Sequence, residues 1–227
     1  KGDRERVTVV DEFVAAIADL HARDIRDMRL PGVAQGASIA DCTRAEIAIW
    51  RAMYEETPSR DPLIDLALSW LEANVPAPTR APVLVHGDAG PGNFLFADGH
   101  MTALLGWELA HAGDPMEDIA WFSMRSVMEP VPDFAARVRE YERRAGEPID
   151  RSRVHYYRVL VSTRVMILRH RNVTGEPGAS LISRALNRRL AVAAMAEASG
   201  TVLPAPQLVD VAAGHRSALF DRVIEDL

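Results

Sequence analysis

The sequence predicts an α+β fold, mostly α, in which helices flank one small central β-hairpin. Three observations predict it. Apolar residues recur at helical spacing on both sides of the middle, and Asp-Pro signals open two of those segments. The one clear strand pair is Phe94-Leu95-Phe96 with Met101 to Leu105, joined by Asp98-Gly99, a strong two-residue hairpin signal. With 227 residues, 48% of them hydrophobic, the chain has the material for a substantial core, as one large domain or two small ones.

The elements follow in order. From Val9 to Arg23, Val10, Phe13, Val14, Ile17 and Leu20 lie at helical spacing, whereas the charged opening Lys1 to Arg6 carries no such pattern. Residues 29 to 40, with Pro31, Gly32 and Gly36, read as a loop. Thr43-Arg44-Ala45-Glu46 reads as a capping box opening a helix to Glu56, with Ile47, Trp50, Met53 and Tyr54 on one side. Trp50 therefore reads as packing. Asp61-Pro62 supplies an N-cap and a first-turn proline for a helix to Asn74, with Leu63, Leu66, Ala67, Trp70 and Leu71 as its buried stripe. Pro76 to Pro82 ends it. Asp114-Pro115-Met116-Glu117 starts a helix running to Met128, and the rest reads as helices over 133–145, 150–172, 178–199 and 205–225.

Composition excludes some classes. The net charge of −6, with no Lys/Arg block, argues against a nucleic-acid surface. No signal peptide and no apolar run of about eighteen residues is visible, so no membrane partner is expected. The single Cys42 cannot form an internal disulfide and has no metal-spaced neighbour; it reads as a helix-start or core residue in a chain at home in a reducing cytoplasm.

Chemistry concentrates between Val83 and Trp121. The apolar run Val83-Leu84-Val85 ends in His86-Gly87-Asp88, and Asn93 follows Asp88 by five residues. Phosphoryl-transfer catalytic loops have that shape: the Asp faces an attacking hydroxyl, and the Asn side-chain oxygen reaches a metal bridging the phosphates. Gly90, Pro91 and Gly92 supply the tight loop needed to aim both groups into one cavity.

With HGDAGPGN, the hairpin, LLGWELAHAGDP and Asp118-Ile119-Ala120-Trp121 in place, the chain resembles the aminoglycoside phosphotransferase and choline kinase group of kinase-like enzymes. It is most similar to the kinase-like domains related to those fused to some acyl-CoA dehydrogenases. The resemblance implies a protein-kinase-like C-terminal lobe. Residues 1–82 would be a helical lead-in, 83–121 the catalytic loop, hairpin and metal segment, and 122–227 a helical acceptor-substrate wall. It further implies that Asp88 is the catalytic base, that His86 braces the loop, that Asn93 holds magnesium and that Asp118 braces the loop through hydrogen bonds. Leu95 and Leu105 would floor the nucleotide, Arg125, Tyr156 and Arg164 would line the wall, and His21 would be structural. ATP and Mg2+ are the implied cofactors, and a small-molecule hydroxyl compound is the acceptor.

Two departures stand out. The family places a metal-chelating Asp where this chain has Gly106; Glu108, two residues on, would share its face and substitute for it if the strand continued. No Gly-x-Gly-x-x-Gly occurs and Lys1 is the only lysine, so the N-terminal nucleotide lobe, about a hundred residues, is expected outside this chain.

The first reading is the C-terminal lobe of an ATP-dependent phosphotransferase, impaired by Gly106. The alternative is a non-catalytic, kinase-derived small-molecule binding module. A metal hydrolase built from Asp88, Asp114 and Asp118 with His86 and His111 is a third reading, weakened because a helix start already explains Asp114 and Asp118. The 151–171 segment is rich in Arg and His, which, if those side chains face inward, favours a neutral or anionic acceptor over an aminoglycoside.

Overall fold

The computed structural model describes residues 2–25, 37–171 and 178–201. The sequence-predicted helix over 205–225 and the break before Gly178 lie outside these, as does most of the 29–40 loop. The chain divides into two compact units. One comprises residues 1–35, 82–151 and 206–227, the other 36–81 and 152–205.

The first unit opens with α1 (Gly2–His21), which begins seven residues before the expected start. The charged opening forms its first turns, since Arg and Glu are good helix formers even without an apolar stripe. Val9, Val10, Phe13, Val14, Ile17 and Ala18 of α1 are buried. They belong to the same core as α4 (Pro115–Met128) and α5 (Phe134–Ala145). Phe13 and Phe122 pack with ring centroids 5.5 Å apart, and Phe122 and Phe134 at 5.0 Å. Asp114 caps α4 through Met116 N at 2.9 Å, with Pro115 in the first turn as the sequence predicts.

Two small antiparallel pairs carry the loop. The hairpin joins β2 (Phe94–Ala97) to β3 (His100–Leu104). Asp98 (φ 52) and Gly99 (φ 79) supply the two positive dihedrals that a tight hairpin turn requires. The second pair is unexpected: β1 (Val83–Val85) pairs with β4 (His111–Gly113), in the register Val83↔Gly113 and Val85↔His111. This pairing brings the residues just after β1 beside those just before β4, where a Cβ on Gly87 would collide with Leu109 O.

Glu12 of α1 ties down the hairpin, its carboxylate accepting from Met101 N and from His100 Nδ1, each at 2.6 Å. The hydrogen bond to His100 holds the Glu12 carboxyl below its ordinary value, and the same bond raises the His100 imidazole above its own. A raised imidazole contributes fully below its unfolded pKa and is lost as pH rises through the folded one. The lowered carboxyl contributes above its unfolded pKa and is lost as pH falls through its folded one. In Glu12→Gln, an NMR titration of His100 is expected to move back toward the ordinary histidine value.

In the second unit, α2 (Ile39–Glu55) starts four residues earlier than the expected capping box. Ser38 is its N-cap, exchanging hydrogen bonds with Asp41. Thr43 instead lies inside the helix, donating to Ile39 O and sharing a 2.9 Å bond with Tyr157 Oη. The correction has a packing cause: Ile39 and Ala40 are buried, so the apolar face extends one turn beyond Thr43. Cys42 sits half-buried in that first turn, where burial raises its thiol pKa.

The next helix, α3 (Pro62–Ala73), is capped by Asp61 as its sequence predicts, but its buried stripe is Ile64, Ala67, Leu68 and Leu71. Leu66 is 58% exposed. The helix is apolar on more than one side, so periodicity did not choose between faces. The long helix α6 (Arg151–Arg171) is buried through most of its length, and α7 (Gly178–Ser199) adds Leu190, Ala191 and Ala194 to the core. Trp50 is 3% exposed, as core packing requires. No helix among the described residues is long and apolar enough to cross a membrane.

Candidate active site

The loop after β1 is fixed from beneath by one buried carboxylate. Asp118, in the first turn of α4, accepts from His86 N at 2.7 Å and from Gly87 N at 2.9 Å. Its Oδ2 also meets His21 Nε2 at 3.0 Å, and His21 Nδ1 meets Tyr141 Oη at 2.7 Å. Asp118 is fully buried and His21 and Tyr141 are 2% exposed. The chain Tyr141–His21–Asp118 therefore ties α5, α1 and α4 to the loop backbone. His86 anchors the other side. Its Nδ1 accepts from Asp88 N at 3.3 Å, so Nε2 carries the proton and donates to Leu105 O at 2.7 Å. Its ring packs on Trp107 at 4.7 Å.

On this base the loop presents Asp88, whose side chain is 26% exposed. Asn93 Nδ2 donates to Asp88 O at 2.7 Å and to Asp88 Oδ2 at 2.6 Å. Arg125 Nη1 donates to Asp88 Oδ1 at 2.6 Å and Arg125 Nε to Pro91 O at 2.9 Å. Arg125 thus meets the loop itself, where the sequence suggested a wall. It sits seven residues after Asp118, two turns along the same face of α4, a spacing that could have revealed its place.

Two other expected wall residues are buried within the second unit. Tyr156 is 3% exposed and donates to Leu71 O at 2.9 Å, and Arg164 is 1% exposed and paired with Glu46 at 2.9 Å. Both are core residues of the second unit. Arg158 is likewise buried and paired with Glu197 at 3.3 Å; burial lowers its pKa to about 10. These cations face inward but meet carboxylates, so the Arg-rich helix gives no support to an anionic acceptor.

The metal segment departs from the expected one in geometry as well as in sequence. Gly106 has φ 79 and ψ 43, and the chain leaves β3 there for a short 3-10 turn, Trp107–Leu109. The strand does not continue, so Glu108 is exposed on that turn rather than aligned with position 106. A Cβ at Gly106 would lie 2.9 Å from Asn93 Cγ, because the Asn93 carboxamide fills the space. Magnesium takes near-octahedral oxygen coordination, with one or two carboxylates from the protein. Among the described residues no three His, Cys, Asp or Glu side chains cluster to hold a metal, and Asp88, the one carboxylate of the 86–93 loop, faces the Arg125 guanidinium at 2.6 Å. The residues at this loop do not fit the ion. The hydrolase reading fails on the same ground: Asp114 caps α4, Asp118 holds the loop, and His111 bonds Leu109 O at 2.8 Å.

Gly106→Ala is expected to lower stability by about 1–3 kcal/mol in urea unfolding, through left-handed strain and the contact with Asn93. Leu95 is 52% and Leu105 40% exposed, beside Phe96 at 66% and Trp107 at 41%.

A helical lobe with a His-Gly-Asp loop, an Asn five residues on and a helix-borne carboxylate holding that loop defines the kinase-like class. Residues 1–157 match the phosphotransferase enzyme family, and the chain belongs to that family. Human acyl-CoA dehydrogenase family member 11 is 31% identical over 123 residues, which are 53% of this chain. The matched segment spans 15% of that relative's length. Among solved structures, a Ralstonia eutropha protein grouped with the aminoglycoside phosphotransferases superposes with a TM-score of 0.69 at 22% identity, over 88% of this chain and 68% of its own. A thermostable mutant of aminoglycoside phosphotransferase APH(4)-Ia, in ternary complex with ADP and hygromycin B, gives 0.59 at 20% identity over the same shares. The fold is that of these kinase-like phosphotransferases.

Proposed function

We propose that this chain is the C-terminal, acceptor-orienting lobe of an ATP-dependent small-molecule phosphotransferase. The observation that carries this reading is a partly exposed Asp88 on a loop whose backbone is held by buried Asp118. The acceptor oxygen attacks the γ-phosphorus as the bond from that phosphorus to the ADP oxygen breaks, and the acceptor proton passes to Asp88. An ionised carboxylate has about four lone-pair sites, so Asp88 retains capacity beside Arg125 and Asn93. His86 and Asp118 hold the loop, Leu95 and Leu105 offer an apolar floor to the adenine, and the phosphate-binding groups belong to a nucleotide lobe outside these residues. The acceptor is a small hydroxyl compound, and the single cysteine suits a cytoplasmic setting.

A second reading, a kinase-derived binding module, is favoured by one observation: Asn93 fills the space that a residue-106 side chain would need. Melting the whole gene product with saturating ATP, with and without Mg2+, separates the two. At a hundred times the dissociation constant a ligand adds about 2.7 kcal/mol, a rise of about 5–10 °C for a domain of this size. A rise with ATP supports the phosphotransferase reading. No rise with ATP, against a rise with a small hydroxyl compound alone, supports the binding module.

A further inference from the structure

We infer that Arg125, and not a metal ion, supplies the cation at Asp88: its guanidinium is the charge around which the 88–93 loop is folded. The inference rests on reading that loop as the catalytic one. Four observations carry it. Arg125 bonds the loop at both ends of its first turn, to Asp88 Oδ1 and to Pro91 O. The loop is shaped to admit it, since a Cβ on Gly90 would lie 2.7 Å from Arg125 Cδ and one on Gly92 would lie 2.8 Å from Arg125 Nη2. Both glycines are thus the space the side chain occupies.

The remaining oxygen of Asp88, Oδ2, accepts from Asn93, so its carboxylate is balanced without a metal. The ligand that would compete for an ion is missing: position 106 has no side chain, and its vacant volume holds the Asn93 carboxamide. A divalent cation at Asp88 Oδ1 would also face a guanidinium 2.6 Å from that oxygen. Arg125 is a positioning residue in this arrangement, acting on the acceptor through Asp88. Its fork suits the task because one planar group meets a carboxylate and a carbonyl together.

The test uses Mn2+ as the metal probe and amide exchange as the measure of loop order, both by NMR on the whole chain, so neither readout depends on turnover. In the wild type, Mn2+ is expected to cause no saturable broadening of the 87–93 amides. Arg125→Met, which keeps the apolar stem and removes the charge, is expected to speed exchange of those amides about tenfold and leave the buried amides of α1 and α5 unchanged. Arg125→Lys should recover part of that protection. If Arg125→Met does not fold, the wild-type titration still decides, and Arg125→Lys is compared with the wild type, from which only a small loss of protection is expected. Saturable Mn2+ broadening at the wild-type loop would overturn the inference. So would wild-type exchange in Arg125→Met, or exchange in Arg125→Lys as fast as in Arg125→Met, since packing rather than charge would then hold the loop. A failure of the phosphotransferase reading would show differently, as a gene product that transfers no phosphoryl group with its loop still ordered by Arg125.

Discussion

Asp88→Asn is expected to lower phosphoryl transfer by the whole gene product about 10²- to 10⁴-fold, with the Km for ATP little changed. That range is what a positioned proton acceptor typically contributes. The substitution keeps the size of the side chain, and the carboxamide oxygen can still accept from Arg125 or Asn93. What it removes is the ability to take the acceptor's proton. The split between kcat and Km identifies the step, because an interaction made only in the transition state lowers kcat without weakening ground-state binding. Steady-state kinetics on the two proteins checks it.

Asp118→Ala is the substitution expected to cost most in stability. It leaves the buried N–H groups of His86 and Gly87 without an acceptor and removes the partner of His21 Nε2. Each buried donor left unsatisfied costs about 1–3 kcal/mol, so the loss is about 4 kcal/mol. For a domain of this length that is a drop in Tm of about 10 °C. Asp118→Asn is expected to fall between, because its carboxamide offers one acceptor oxygen where the loop backbone uses two. Differential scanning calorimetry on the three proteins gives the order directly.

The same residues show where the sequence was legible. The loop, the hairpin and the Asp-Pro helix starts are local signals, set by backbone chemistry within four or five residues, and the structure places them where the sequence does. The family and fold followed from them. Features that depend on distant partners were not legible. β4 is three residues long and only Ala112 is apolar, so it carries no alternation; it is a strand because β1 lies beside it. The stripe of α3 is displaced because Leu63, Leu66 and Trp70 repeat as well as Ile64, Leu68 and Leu71 do, and the neighbouring helices decide which face is covered.

Charged and hydroxylated residues misled for a related reason. Tyr156 and Arg164 read as polar groups suited to a substrate wall, yet each is buried with a partner far away in sequence, Leu71 O and Glu46. Arg125 was placed near the chemistry, but its bonds to Asp88 and Pro91 were not foreseen. The glycines flanking Pro91 were read as flexibility for a tight loop, whereas the structure shows that they also make room for its side chain. Gly106 was legible as a missing carboxylate; that Asn93 would move into the space was not.

The measurement that tests the central claim most directly is ADP release by the whole gene product across a panel of small hydroxyl compounds, with mass spectrometry of each compound afterwards. A hydroxyl compound that stimulates ADP release and itself gains one phosphoryl group, with both effects lost in Asp88→Asn, is the result this structure leads us to expect. ADP release indifferent to every hydroxyl compound, or phosphorylation that persists in Asp88→Asn, would contradict it.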